Sequence, residues 1–318
     1  MTVFSFALLG QPISAQEWPN RPVTMVVPFA AGGPVDLQGR ILAQRVSEIL
    51  RQRIIVENVT GAGGVIGTER VAKATADGYQ FVFGGVSTMA FSQAIYAKPP
   101  YNAVTDFAPV ILVTEQPLVL ITRTKFPAGD LNGFIAYTKQ HAAEMRFGSG
   151  GIGSAAHLGC ALLNATIGIA TTHVPYRGSE PAMPDLMAGR IDYFCDAVST
   201  AFPHILAGEL KAMAVLGPTR SAILAEVATA DEQGLRGFDV SVWNASFLPA
   251  NTPKYIVRGL HDAISIALDT PAVRDQLTST GVSIVPPQRR SSAYLAEYLK
   301  SEIEKWAAVI KLNRITAN

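Results

Sequence analysis

Residues 23–50 read VTMVVPFAAGGPVDLQGRILAQRVSEIL, and the order of residue types in this stretch decides the fold. Residues 23–27 form a short apolar, largely β-branched run of strand length. Pro28 breaks that run, and the small residues Ala30, Ala31, Gly32 and Gly33 follow. From Asp36 the apolar period changes: Leu37, Ile41, Leu42, Val46, Ile49 and Leu50 share one helical stripe. Pro34 suits the first helical turn, where its missing N–H costs little, and Asp36 opposes the positive end of the helix dipole. The unit is therefore strand, glycine loop, helix. Backbone amides at a helix start have no intrahelical partner. In an open α/β sheet they lie beyond the carboxyl ends of the strands, where ligands bind. A loop of small side chains lets an anionic or hydrogen-bond-accepting group reach them.

The pattern continues outward. Residues 53–57 (RIIVE) read as a second strand, 65–74 as a helix with Val65, Ile66, Val71 and Ala72 inward, and 79–84 as a third strand leading to Ser87 and Thr88. Such a βαβαβ order predicts a parallel, doubly wound sheet whose loops share one rim. Two apolar runs, 110–113 and 118–121, flank Gln116-Pro117 and mark a crossing into a second domain. There the architecture repeats: a strand at 145–147, a second glycine loop GSGGIGS at 148–154, and a helix to about residue 163. A strand at 172–175 leads to Tyr176 and Arg177, and one at 191–194 ends in Cys195 and Asp196. Residues 241–247 return to the first domain, and three helical patterns close the chain.

Composition narrows the function. The chain has 318 residues, 48% hydrophobic and 16% charged, which suits a well-packed globular protein of two α/β domains. A formal net charge of +1 gives no electrostatic footprint for nucleic acid or a membrane surface. Residues 3–10 are apolar, and small residues precede a cut site after Ala15, as in a secretory signal peptide spanning residues 1–15. Cys160 and Cys195 belong to no metal motif and read as small core residues that an oxidising compartment could pair.

The second loop has the G-x-G-x-x-G spacing of a dinucleotide site. However, no Asp or Glu occurs between Gly153 and Glu180 to take a ribose. No cofactor is expected, and the loop's amides suit a carboxylate instead. There is no G-x-S-x-G elbow, no phosphate loop ending in Gly-Lys-Ser/Thr and no His-Glu-x-x-His, so no enzymatic chemistry is expected. His157 opens the helix after the second loop and could face the cleft; His173, His204 and His261 have no metal spacing. Asp196 either caps locally or receives an amine or amide N–H of a ligand. Arg40 suits a structural ion pair within its helix, and Arg177 could meet a ligand acid. Phe29 either joins the core or covers the ligand.

Taken together, certain motifs resemble the Bug-type solute-binding proteins of tripartite tricarboxylate transporters. In the first half these are WPNRP at 18–22, VPFAAGG at 27–33 with Asp36 and Arg40, VEN at 56–58, GAGG at 61–64 with Gly67, and DGY at 77–79. The second half adds GSGGIGS at 148–154, His157-Leu158, HVPYRGS at 173–179, Ala188-Gly189, Ala207-Gly208, and Trp243 followed by Pro249 and Thr252-Pro253. The resemblance covers nearly the whole chain after Gln16. It implies a two-lobed periplasmic binding protein of the type II-like Venus flytrap class, each lobe a mixed α/β sheet flanked by helices. Lobe 1 would comprise residues 16–117 and 242–318, and lobe 2 residues 118–241. The resemblance places a ligand's carboxylate on the two glycine loops: Phe29, Ala30, Ala31, Gly32 and Gly33 in the first; Ser149, Gly151, Gly153 and Ser154 in the second. Ser87, Thr88, His157, Tyr176 and Asp196 complete the expected site. The expected partners are a small organic carboxylate (a dicarboxylate, an amino acid or an aromatic acid) and the subunits of a membrane permease, with the receptor itself a monomer. The alternatives are an α/β enzyme acting on a small organic acid and a ligand sensor without a permease.

Overall fold

The structure, a computed structural model, describes residues 18–315. The expected leader at residues 1–15 lies outside the described residues. The first β-strand, β1 (Val23–Val27), feeds helix α1 (Pro34–Leu50), followed by β2 (Ile54–Asn58), α2 (Val65–Ala72) and β3 (Gln80–Gly85). A wide helical turn, Ser87–Phe91, and the short α3 (Ser92–Ile95) lead to the long strand β4 (Phe107–Arg123). Then come α4 (Leu131–His141), β5 (Arg146–Ser149), α5 (Ala155–Ile167), β6 (Thr172–Pro175), α6 (Met183–Met187), β7 (Tyr193–Ala197), α7 (Val198–Leu206) and β8 (Leu210–Val215). The chain returns through β9 (Ser241–Pro249) and closes with α8 (Lys254–Asp269), α9 (Pro271–Ser279), β10 (Ser283–Ile284) and α10 (Ser292–Leu312).

The strands run in the order β2-β1-β3-β9-β4-β7-β5-β6, with β8 and β10 also paired to β4. β1 is parallel to β2 and β3, and β5 is parallel to β6 and β7. The shared strands β4 and β9 run antiparallel to their neighbours. The result is two mixed α/β lobes, each containing a parallel strand–loop–helix unit.

The two apolar runs around Gln116-Pro117 prove to be one 17-residue strand. β4 pairs with β9 as far as Pro117, opposite Ser241, and from Leu118 onward with β7 and β8. Proline cannot donate to a ladder, and here it stands where the strand changes partners. Beside it, Leu118 N–H donates to the Val240 carbonyl, and Val240 N–H to the Leu216 carbonyl. The chain at Pro117–Leu118 and at Val240–Ser241 therefore runs side by side.

Packing follows the apolar pattern with two departures. On α1 the buried face is Val35, Gln38, Gly39, Leu42, Ala43 and Val46, while Leu37 and Ile41 are only partly covered. The small Gly39 turns this face to the sheet: a Cβ there would lie 3.2 Å from both Met25 and Val27 side chains. Ile66, expected inward, is 51% exposed. The largest cluster of buried side chains draws Phe91, Phe147, Tyr193, Trp243 and Trp306 from elements of both lobes. Cys160 and Cys195 are more than core residues: they form a disulfide with Cα atoms 5.5 Å apart, joining α5 to β7. Among the described residues no helix is long and apolar enough to cross a membrane.

Candidate ligand-binding site

A narrow cavity of about 60 Å³ lies between the lobes where β1, β3, β5 and β7 end. Two helices begin at its wall. In α1 the first intrahelical bond is from Leu37 N–H to the Gly33 carbonyl, so the amide of Val35, a lining residue, precedes the ladder. In α5 the first is from Leu158 N–H to the Ser154 carbonyl, so the amides of Ala155 and Ala156, both lining residues, also precede it. Helices of 17 and 13 residues thus turn their positive ends toward one small space. Among the described residues no Lys, Arg or His lines it.

The first loop is held by a knot of side chains. Asp36 Oδ2 accepts from Gly32 N–H (2.9 Å) and from Arg40 Nε (2.8 Å), and Oδ1 accepts from Asn58 Nδ2 (2.9 Å). Asn58 Nδ2 also donates to the Phe29 carbonyl, and Arg40 donates to Asn58 Oδ1. Burial pushes the Asp36 carboxyl up, but the hydrogen bonds from Arg40, Gly32 and Asn58 outweigh it and hold the group below the ordinary aspartate range. Arg40 is therefore the structural ion pair that its place in the helix suggested.

The second loop is held without charge. Ser149 Oγ shares a hydrogen bond with His173 Nε2 (2.6 Å) and accepts from Gly151 N–H (3.1 Å). Gly153 N–H donates to His157 Nδ1 (3.2 Å), and Ser154 Oγ caps α5 by accepting from His157 N–H. The two imidazoles stack at 4.2 Å, with Phe147 4.7 Å beyond His173. Burial pushes His157 down to about 4; burial, together with His157, pushes His173 down to about 3. Both rings are neutral at pH 7.

Among the described residues Asp196 is the one ionisable side chain in the cavity wall. It is 1% exposed and accepts from Ser179 Oγ (2.7 Å) and Thr200 Oγ1 (2.5 Å). Burial pushes its carboxyl up to about 6, against the pull of those two hydroxyls and the Ala197 amide. Across the mouth Glu180 is half-buried against the first loop, where a Cβ on Gly32 would lie 3.2 Å from its Cγ. Burial raises its proton affinity too.

Of the residues anticipated from sequence, Phe29, Ala30, Gly33, Ser87, Ser154 and Asp196 line this cavity. Ala31 and Gly32 face solvent beside it. Gly151 and Tyr176 line an adjoining outer groove, about 560 Å³, that shares Phe29 and Gly150 with the cavity and is also lined by Gly61–Gly64 and Arg177. The Tyr176 hydroxyl donates to Asp185 instead of facing the cavity. Thr88 is fully buried, its hydroxyl bonded to Gly85. Ser149, Gly153 and His157 support the second loop from behind. Sequence reasoning missed Gln116, Asn244 and Ser179, which do line the cavity, and gave Trp243 no place in it. Gln116 stands in the polar break Thr114-Glu115-Gln116 between two apolar runs, and Asn244 sits among Val242, Trp243 and Ala245; those polar positions inside strands were the available signal. Gln116 Oε1 accepts from Ser199 N–H, while its Nε2, fully buried, has no partner.

The lobes approach until backbone meets backbone. A Cβ on Gly63 would fall 2.2 Å from the Ile152 carbonyl oxygen, and one on Gly178 would fall 2.8 Å from Ala30 Cβ. Gly63 has φ +64° and Gly178 has φ +136°, so both turns also suit glycine.

Comparison with known proteins shows the family and the fold. Residues 39–314 match the tripartite tricarboxylate transporter family receptor. The chain is 35% identical to protein BugT of Bordetella pertussis over 307 residues, covering 95% of this chain and 92% of BugT. Among solved structures, the periplasmic binding protein BugD superposes with a TM-score of 0.91 at 33% identity, covering 94% of this chain and 99% of that one. MatC of Rhodopseudomonas palustris, solved with bound malate, superposes with a TM-score of 0.90 at 38% identity, covering 92% of this chain and 100% of that one.

Proposed function

We propose that this chain, which belongs to the tripartite tricarboxylate transporter receptor family, is a periplasmic receptor that captures a small organic carboxylate between its lobes and delivers it to a membrane permease. One observation carries the ligand class: the free amides of two helix N-termini open onto one cavity that no Lys, Arg or His lines among the described residues. Backbone donors at positive helix ends hold a carboxylate without a cationic side chain. Malate, bound by MatC, belongs to the same chemical class.

In this reading residues 118–241 form the second lobe, and the two connections at Pro117–Leu118 and Val240–Ser241 are the hinge. The ligand settles first on one glycine loop. Rotation then brings the other loop onto the same carboxylate, and the backbone contact at Gly63 sets the limit of closure. Closure is favoured only by contacts absent from the open form. No covalent step is involved.

A thermal-shift screen of the mature protein against small organic acids tests this reading. A carboxylate at 100 times its dissociation constant adds about 2.7 kcal/mol to the folded state. Stabilisation by one class of carboxylate supports a receptor. Stabilisation by a dinucleotide alone, or turnover of a carboxylate ester, overturns it.

A further inference from the structure

We infer that the cargo carries, besides its carboxylate, an N–H-bearing group, an amide or an amine, that is received by Asp196. This inference rests on the proposed function and specifies the far end of the ligand.

The cavity has an electrical polarity of its own. The positive ends of α1 and α5 open onto it. Among the described residues its lining contains one ionisable side chain, Asp196, and Glu180 is close enough to disfavour its charge. Arg40 is held by Asp36 and Asn58, and Arg177 lines the outer groove and not this cavity. A dicarboxylate would therefore seat its second negative charge against a buried acid with no cation in the wall. Like charges brought together in a desolvated site oppose binding strongly.

The hydrogen-bonding groups point the same way. Asp196 already accepts from Ser179, Thr200 and the Ala197 amide, and a carboxylate's lone pairs leave room for another donor. Gln116 Nε2 is a buried donor without a partner in the same wall. An unpaired buried donor is costly and marks a place where an acceptor is expected. A primary amide answers both groups at once, its N–H₂ donating to Asp196 and its carbonyl accepting from Gln116. An ammonium answers Asp196 with charge.

Titration calorimetry at pH 7.5 with matched pairs tests the inference: succinate against succinamate, glutarate against glutaramate, adipate against adipamate. At the chain length that binds, the half-amide is expected to bind about tenfold tighter or more than its diacid. Asp196→Asn should shrink that ratio to near unity by improving the diacid and weakening the half-amide. Diacids that bind the wild-type protein as tightly as their half-amides overturn the inference and leave the carboxylate receptor standing. Failure of every carboxylate in the set to bind defeats the proposed function, and the inference with it.

Discussion

The two glycine loops have the same task and are fixed by opposite means. The first is held by an ionised carboxylate, a guanidinium and an amide; the second by a serine, two neutral imidazoles and a phenyl ring. The first helix begins with a proline and no side-chain cap, the second with a serine cap. The second alone is covalently tied, through Cys160–Cys195, to the strand that carries Asp196. A loop ahead of a helix must be rigid to present its amides, but the physics permits more than one scaffold. The choice of scaffold shows in how each loop responds to acid and to reduction.

The largest expected effect comes from removing the tie. Replacing both cysteines by alanine opens a bridge across a sequence separation of 35 and should lower stability by about 3–4 kcal/mol. Denaturant unfolding under oxidising and reducing conditions measures it; a wild-type protein indifferent to reductant would place the stability of the second lobe elsewhere.

Next is Asp36→Ala, which leaves Gly32 N–H, Arg40 and Asn58 without their shared acceptor. Because half of the Arg40 side chain is exposed and can turn to water, the expected cost is about 2 kcal/mol, not the full value of a buried pair. Affinity for the carboxylate should fall together with stability.

Acid separates the loops. His157 and His173 titrate near 6.5 when unfolded, and at about 4 and about 3 in the folded protein. Between those values the unfolded chain binds more protons, so stability falls as pH drops from 6.5 toward 4. Asp196 acts with the opposite sign over part of that window. Its folded value of about 6 lies above 3.8, so its contribution grows as pH falls from 6 to 4. Asp36 is held below 3.8, and what it contributes is lost only under stronger acid. His173→Gln should therefore flatten the loss between pH 6.5 and 4 by about 1 kcal/mol, read from thermal midpoints of variant and wild type. An unchanged slope would show that the imidazole stack does not govern acid stability.

The smallest effect on the fold is expected from Gly33→Val. Gly33 has φ −69°, a conformation open to any residue, and a Cβ there would lie 3.3 Å from the Ala30 carbonyl oxygen at the cavity wall. The protein should stay folded while affinity falls roughly tenfold through crowding. Unchanged calorimetric affinity would remove the first loop from the site.

Both loops were legible in the sequence because glycine, proline and a change of apolar period are local signals. β1 and α1 stand where residues 23–50 placed them. What escaped was non-local. Thr88 and His157 are polar residues near a strand end and a helix start, and nothing local tells a supporting side chain from a lining one. Gln116 and Trp243 enter the cavity wall through strands far apart in sequence, β4 and β9, that pair side by side. The pairing of Cys160 with Cys195 depends on how α5 packs on β7. Gly39 displaced the buried stripe of α1 because its lack of a side chain lets the helix settle closer to the sheet than the apolar period alone predicts.

The pairing of β4 with β9 has a mechanical side in the closure proposed above. Gln116 and Trp243 belong at once to the cavity wall and to these paired strands. With the pivot there, a molecule in the cavity would rest against the axle, while the glycine loops would ride at the rim. A slight torsion at the axle would become a long sweep at the rim, and a misshapen guest would jam the axle before the rim could shut. Fit would be gauged by leverage.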